Sequence, residues 1–373
     1  MAVAGREMRS LIDEDGILTI SLEEVVVSEP ADDEIVVRVE AAPINPSDQG
    51  LLFGPADIST VKEIVPGSNV TLALPANSLP FVKGRLGEAL TVGFEGAGTV
   101  VLAGSKVKEF EGRRVGMIGG SMYADYRRIR AQEAILLPDY ATSKDGAAMF
   151  VNPLTALGFV ETAMIEGHEA IVHTAAASNL GRMLQKICLA DGIPLVNIVR
   201  TEAQERILRD IGATYVLNSQ NADFVDKLND AVEQTRATIA FDAIGGGTLG
   251  SDIMQSMERA AARNMPGYHR YGSNTLKQLY IYGALDLSST VLNRLAFGFS
   301  WSVSGWLLFP FLERVGPQVA NRLRKRVVDE LTTTFASSYA HVISLSDALN
   351  PETMRAYHRK ATGEKFLLDP TLG

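Results

Sequence analysis

The residues best placed for chemistry form a short run of small side chains, Ala175-Ala-Ala-Ser-Asn-Leu-Gly181. An apolar, β-branched stretch at 170–174 precedes it. After it, Leu184, Ile187, Cys188 and Leu189 recur at helical spacing, and 195–199 reads as a second buried strand. Strand, turn, helix and strand make a βαβ unit of about thirty residues, the size of a nucleotide-binding half. A helix that starts in such a turn aims its first N–H groups and the positive end of its dipole at whatever occupies the turn. A pyrophosphate suits that place. Of a G-x-G-x-x-G pattern only Gly181 survives, with Ala, Ser and Asn in the other small slots. Taken alone, the stretch fits an ordinary α/β crossover as well as a nucleotide site.

The elements around the turn continue the alternation. Helices are expected at 147–163, 202–210, 224–234 and 248–262, and strands at 215–217, 238–243 and 279–283. Such alternation implies a doubly wound parallel sheet, α/β in class. Its strands end in Thr174, Arg200, Asn218, Asp242 and Gly283. Ligands of these sheets bind beyond the carboxyl ends of the strands, so the five points are expected to face one crevice. An NAD site usually ends its second strand in Asp or Glu, which holds the ribose hydroxyls. Arg200 stands there instead, and its planar fork suits a 2′-phosphate, so NADPH is expected ahead of NADH. A solvent-facing arginine is the plain alternative.

Upstream, 17–27 and 35–41 alternate apolar with polar residues, and 91–103, 113–118, 121–126 and 135–137 add short strands with glycine turns. Many short strands of this kind suggest a small barrel. Pro43-Ile-Asn-Pro-Ser-Asp48 reads as a rigid turn leading into a helix cap. Residues 54–91 form a long Pro/Gly-punctuated excursion, as lids, binding loops and insertions do. Downstream, 295–311 carries no charge and is rich in Phe, Trp and Leu. It is only seventeen residues long and is interrupted by Ser, Gly and Pro. It therefore reads as core, pocket or subunit interface rather than a membrane span. Trp301 and Trp306 are candidate walls for a flat acceptor.

Composition sets outer bounds. A chain of 373 residues has room for two domains with sizeable cores. A formal net charge of −9 argues against a nucleic-acid partner, and Arg322-Leu-Arg-Lys-Arg326 is expected as a solvated helix face. One cysteine, Cys188, permits no disulfide within the chain and points to a reducing cytoplasm. The first fourteen residues lack the apolar segment of a secretion signal. The five histidines, at 168, 173, 269, 341 and 358, show no metal-ligand spacing, so no metal site is expected.

Seven motifs in order resemble those of the medium-chain dehydrogenase/reductase superfamily. They are Pro43-Ile-Asn-Pro-Ser-Asp48, Gly93-Phe-Glu-Gly-Ala-Gly98, Tyr123-Ala-Asp-Tyr126, Asn152-Pro-Leu-Thr-Ala156, the turn at 175–181, Asp242-Ala-Ile-Gly-Gly246 and Gly363-Glu-Lys-Phe366. The resemblance covers nearly the whole chain. It implies a GroES-like β-barrel catalytic domain at 1–150, a Rossmann NADP-binding domain at 151–295, and a return to the catalytic domain at 296–373. Zinc-dependent members place Cys where Asn45 stands, His where Phe94 stands, and Cys or Asp near Val151. None of these positions carries such a ligand here. The chain thus resembles the zinc-independent quinone oxidoreductase and enoyl reductase branch, whose members pass hydride from NADPH to a quinone or an enone.

The resemblance also implies roles. Ala176, Ser178, Asn179, Leu180 and Gly181 are expected to hold the pyrophosphate, mostly through backbone N–H, and Arg200 the 2′-phosphate. Asn218, Asp242, Ala243 and Ile244 are expected on the adenosine and ribose side. Gly283, Ala284 and Leu285 are expected near the nicotinamide, with Lys365 closing over the cofactor. Asn45 and Thr155 are expected to frame the nicotinamide and the substrate carbonyl. The 2-enoyl thioester reductases of this branch carry a proton-donating Tyr shortly after the Asn-Pro-Ser-Asp motif. No Tyr occurs here before residue 123, which weakens that reading. Tyr123 is the nearest candidate acid, with a packed strand aromatic or water as the alternatives. Three readings follow. The first is a zinc-free NADPH-dependent reductase of small quinones or enones, expected as a homodimer. The second is an enoyl thioester reductase. The third is a catalytically weak NADPH-binding protein with a structural or sensing role.

Overall fold

A computed structural model describes residues 2–373. The chain forms two compact units, residues up to 151 with 328–373, and residues 152–327. The first unit opens with long antiparallel strands, β1 (Val3–Ile12), β2 (Ile17–Val27) and β3 (Glu34–Pro43). β1 has no counterpart among the sequence expectations, yet Met8, Ser10 and Ile12 alternate into the core. Asn45 then caps the short helix α1 (Pro46–Phe53), whose first position is a proline.

The 54–91 excursion is not one open loop. It contains β4 (Lys62–Val65), β5 (Asn69–Ala73), the turn-length helix α2 (Leu79–Val82) and β6 (Leu90–Thr91). β5 pairs with β2, so the excursion extends a five-stranded sheet in the order β4-β5-β2-β1-β6. Next come β7 (Glu95–Ala103), β8 (Arg114–Ile118), β9 (Tyr126–Arg130) and β10 (Ala134–Leu136). The strand expected at 121–126 therefore begins only at Tyr126, after an irregular segment with Ser121 at φ 61°. Two helices follow, α3 (Ser143–Gly146) and α4 (Val151–Ile165).

The second unit is built on six parallel strands. In chain order come β11 (Ile171–His173), α5 (Asn179–Asp191), β12 (Leu195–Val199), α6 (Glu202–Asp210), β13 (Tyr215–Asn218), α7 (Phe224–Thr235) and β14 (Ile239–Asp242). A short strand, β15 (Gly245–Gly247), and α8 (Leu249–Arg263) lead to β16 (Lys277–Ile281). β17 (Asp286–Thr290) pairs with β15 outside the main sheet, and β18 (Trp301–Gly305) pairs with β16. The sheet order is β13-β12-β11-β14-β16-β18, with every pairing parallel. Numbered within the sheet this is 3-2-1-4-5-6, the doubly wound order whose direction reverses between its first and fourth strands. Val172, Val196, Ile198, Ala240 and Leu279 fill its interior against Leu228, Ile253 and Met254 of the helices.

β18 corrects the expected boundary. The chain does not leave this unit at 296; it adds a sixth strand and starts α9 (Leu308–Asp329), which breaks at Gly316 and Pro317. The uncharged Ser300-Trp-Ser-Val-Ser-Gly305 run alternates small polar with larger residues, as an edge strand can. Trp306 is core rather than pocket wall. Its ring packs against Phe159 and Phe311, and its Nε1 donates to Thr162 Oγ1 at 3.1 Å.

After 328 the chain completes the first unit with β19 (His341–Ile343), α10 (Pro351–His358) and β20 (Phe366–Leu368). β20 pairs antiparallel with β3, giving the order β10-β8-β7-β3-β20-β19, with β9 also on β3. The fold is thus a β-barrel unit closed by the C-terminal segment and a doubly wound parallel unit between.

Candidate functional site

The turn between β11 and α5 lies at the switch point of the parallel sheet, where ligands of such sheets bind. Ser178 caps α5: its Oγ accepts the Gly181 N–H at 3.1 Å. Leu180, Met183, Leu184, Ile187 and Cys188 are buried along one helical stripe, and Gly192 ends the helix at φ 71°. Glycine is required at 181 by space. A Cβ there would lie 2.1 Å from the Ala176 carbonyl oxygen. The expectation that 176–181 offers mostly backbone N–H groups to a pyrophosphate needs correction. The Ala176 N–H goes to Ile198 O, the Ser178 N–H to Ala175 O, and the Gly181 N–H to Ser178. These three build the turn, because a tight turn must satisfy its own amides. Beyond these three, the turn leads into the first helical turn of α5 and its dipole.

Beside the turn, one carboxylate joins two strand ends. Thr174 Oγ1 donates to Asp242 Oδ1 at 2.6 Å and accepts the Ala243 N–H at 2.8 Å. Asp242 also accepts the N–H groups of Ile244 and Gly245. Asp242, Ala243 and Ile244 thus form a self-satisfied turn, with Asp242 itself buried. The backbone of 282–286 runs beside it: Tyr282, Leu285 and Asp286 donate to Asp242, Ala243 and Ile244. The approach is close enough that a Cβ on Gly283 would meet Ala243 O at 2.6 Å. The expected nicotinamide segment, Gly283 to Leu285, and the expected ribose segment, 242–244, are therefore neighbours. Beneath them His173 Nε2 lies 2.8 Å from the Tyr282 hydroxyl, and burial pushes His173 down to about 3, so it is neutral. The sequence marked Thr174 only as a strand end facing the crevice and gave His173 no role.

Arg200 and Asn218 follow on the next two strands. Arg200 is exposed; only its backbone N–H is fixed, to Gln204 Oε1. Asn218 is held by Glu205 and by the Gln220 N–H. Ser219 donates to Val199 O, which keeps the two strand ends side by side.

The barrel unit gathers a second polar cluster. Asp48 accepts the Asn45 N–H and the Phe94 N–H, each at 2.8 Å. Asn45 Nδ2 donates to Glu95 Oε1 at 2.8 Å, and Glu95 Oε2 accepts the Phe150 and Val151 N–H groups at 2.9 Å. Both carboxylates are fully buried. Burial pushes Asp48 up to about 7 against its backbone donors, with the Glu95 charge adding to the rise. Burial likewise raises Glu95, opposed chiefly by the Lys365 ammonium and the Val151 N–H. Tyr123 is fully buried, its hydroxyl donating to Pro43 O at 3.2 Å, and burial lifts it well above the usual phenol range. That corrects the expectation of a proton donor: Tyr123 is a packed aromatic filling the space over Gly93. Lys365, expected to close over the cofactor, belongs to the same cluster. Its ammonium lies inside the barrel unit, near Glu95 and 5.4 Å from the Tyr339 ring centre. Thr155 is buried on α4, in the other unit.

No model of a protein family matches the chain. Pig quinone oxidoreductase is 23% identical over 236 residues, 62% of this chain and 63% of that protein. The match thus spans under two thirds of the relative's length. A putative NADPH:quinone reductase from Mesorhizobium loti superposes with a TM-score of 0.72 at 24% identity, covering 98% of both chains. The chain has the medium-chain dehydrogenase/reductase fold and resembles its quinone oxidoreductases. Escherichia coli quinone oxidoreductase, solved with NADPH, shares that fold at a TM-score of 0.69 and 20% identity, over 99% of this chain and all of the other. Asn45, Phe94 and Val151 are the positions where the resemblance would place zinc ligands in zinc-dependent members. Here all three serve the buried carboxylates instead. Among the described residues no three His, Cys, Asp or Glu side chains gather as a metal would need. No helix among them is long and apolar enough to cross a membrane.

Proposed function

We propose that the chain is an NADPH-dependent oxidoreductase that delivers hydride to a small quinone or α,β-unsaturated carbonyl without zinc. The observation that carries this reading is the switch-point turn: Gly181 lets it close tightly on the Ala176 carbonyl and Ser178 caps the helix, so that the N-terminus of α5 starts at the switch point. The likeness to the pig, Mesorhizobium and Escherichia coli quinone reductases supports it. When bound, the dinucleotide supplies the hydride. The first turn of α5, with Asn179 and Leu180, receives the pyrophosphate, while Ala176, Ser178 and Gly181 shape the turn. Arg200 holds the 2′-phosphate and Asn218 the adenosine side. The Thr174–Asp242 lock keeps Ala243, Ile244 and Gly283 to Leu285 in register for the ribose and nicotinamide. Asn45 and Thr155 are the polar side chains assigned to the nicotinamide and acceptor carbonyl. The rate gain comes from fixing donor and acceptor in contact and polarising the acceptor.

The test is NADPH oxidation with 1,4-benzoquinone, a simple enone and crotonyl thioester. Turnover of the thioester alone would move the reading to a 2-enoyl thioester reductase. Tight NADPH binding with no turnover would leave a binding protein with a structural or sensing role. Arg200→Ala should weaken NADPH about tenfold or more while leaving NADH nearly unchanged; equal effects on both would reject the phosphate assignment. A cytoplasmic homodimer completes the proposal. The buried thiol of Cys188 suits a reducing compartment. The exposed Phe299 and Leu307, which flank the edge strand β18 in sequence, suit a covered face, which light scattering after gel filtration would check.

A further inference from the structure

Glu95 has three hydrogen-bond neighbours, and all three are donors. Oε1 receives Asn45 Nδ2, and Oε2 receives the Phe150 and Val151 N–H groups, the latter the first residue of α4. The Lys365 ammonium adds a further positive neighbour. Burial favours the acid, but in the observed orientation none of these three partner atoms can accept a proton, so the hydrogen bonding suits the anion. The consequence falls on Asn45. The two ends of a carboxamide have the same shape and differ only in hydrogen bonding, so its partners decide which way round it sits. Glu95 takes the Nδ2 end. The Oδ1 end is buried and leans toward the Asp48 N–H without making a hydrogen bond. A buried acceptor left unpaired is costly and calls for a ligand donor or an ordered water.

We propose that Glu95 is a positioning residue that locks the Asn45 carboxamide with Oδ1 presented as an acceptor to an N–H or O–H donor of the bound ligand. This rests on the assignment of Asn45 to the ligand. Glu95 touches no ligand itself; it acts through the amide it orients. The same carboxylate holds the first turn of α4, the helix that carries Thr155 one turn further on. One anion thus fixes both the orientation of Asn45 and the start of the helix bearing the second assigned polar side chain.

A swap of amide and carboxylate tests this. In Glu95→Gln the new oxygen keeps the Phe150 and Val151 N–H groups, so the new NH2 must face Asn45. Two NH2 groups cannot pair, so the Asn45 amide turns over and its acceptor is spent. Adding Asn45→Asp restores the pattern: the new amide donates to one carboxylate oxygen and the other is again presented. In benzoquinone-coupled NADPH oxidation, Glu95→Gln should lower kcat about tenfold or more with KM for NADPH within about threefold. The double variant should recover to within about fivefold of the parent. A single variant with unchanged kcat, or a double variant no better than the single, overturns the proposal. The Asn45 NH2 resonance, assigned by its loss in Asn45→Asp, separates this from the functional reading. If the parent protein turns over no acceptor, the functional reading fails. Glu95 is then judged by that resonance alone: slow solvent exchange in the parent and fast exchange in Glu95→Gln support the lock, and identical exchange rejects it.

Discussion

In the barrel unit, Asp48 and Glu95 sit in one buried cluster and bind segments 46, 50 and 55 residues away in sequence. In the parallel unit, Asp242 is buried too, but it closes its own loop through Ile244 and Gly245 and takes one distant donor, Thr174. The barrel cluster places two carboxylates together, so the charge of one raises the proton affinity of the other. The parallel unit relies on shape instead: Gly181 and Gly283 allow backbones to approach to distances that a Cβ would forbid. The barrel side is therefore the part whose charge responds to pH within the ordinary range, and the strand-end side is the part that fails by crowding.

The largest effect expected from this contrast is a pH slope. Asp48 is raised from 3.8 to about 7 in the folded chain. A carboxyl with a raised folded pKa binds its proton more tightly when folded. Its contribution to stability is complete below pH 4 and is lost as pH rises toward 7. A shift of this size corresponds to about 4 kcal/mol at most across that window. Urea unfolding at several pH values should show parent stability falling from pH 4 to pH 7 relative to Asp48→Asn. Parallel curves for the two proteins would remove Asp48 as the source. On the other side, Gly181→Ala forces the α5 N-terminus away from Ala176 O. It should cost about 1–3 kcal/mol in stability. NADPH affinity should fall by more than that of any Arg200 variant, read by fluorescence titration; full affinity would mean the turn is not the cradle.

How much of this was legible depends on which signal the residues carry. Helix α6 spans the 202–210 expected for it, because Thr201 caps it and the charges alternate with a buried Leu208. The switch-point turn stood out from its small residues alone. β18 was missed because Ser300-Trp-Ser-Val-Ser-Gly305 lacks the β-branched run that marks a central strand, and with it went the boundary, placed at 296 rather than 328. β17, wholly exposed, carries no burial pattern to read. Glu95 was quoted within a motif but given no role. Its signal was present: it is the only charge between residues 89 and 105, in a stretch otherwise apolar, Gly or Thr. A lone charge in such a strand has to be paired when the strand is buried. The backbone commitments of Ala176, Ser178 and Gly181 were not legible, since the residue types at a turn do not say which amides the turn consumes.

A smaller effect should separate the lock from the loop it holds. Thr174→Val keeps the shape but removes the hydroxyl between Asp242 and the Ala243 N–H. The expected loss is about 1–3 kcal/mol, because the buried Ala243 N–H is left unpaired and Asp242 Oδ1 keeps only the Ile244 N–H. Thr174→Ser keeps the hydroxyl and should recover most of it in chemical denaturation; if serine is no better than valine, the methyl packing rather than the lock carries the cost.

The smallest effect expected is none. Cys188 lies on the buried stripe of α5, and burial pushes its thiol up to about 12, with Asp191 adding to the rise and Arg326 opposing it. The thiolate is the reactive form, so the native protein should be inert to an aromatic disulfide reagent near neutral pH. Because Cys188 shares its helix with the Ser178 cap and the Gly181 cradle, its labelling reports opening of that helix. Bound NADPH should slow labelling in mild urea. If Gly181→Ala labels no faster than the parent, the crowding at Ala176 is relieved by a local shift of the turn. The contrast between a charge-sensitive barrel and a shape-sensitive sheet would then rest on Gly283 alone.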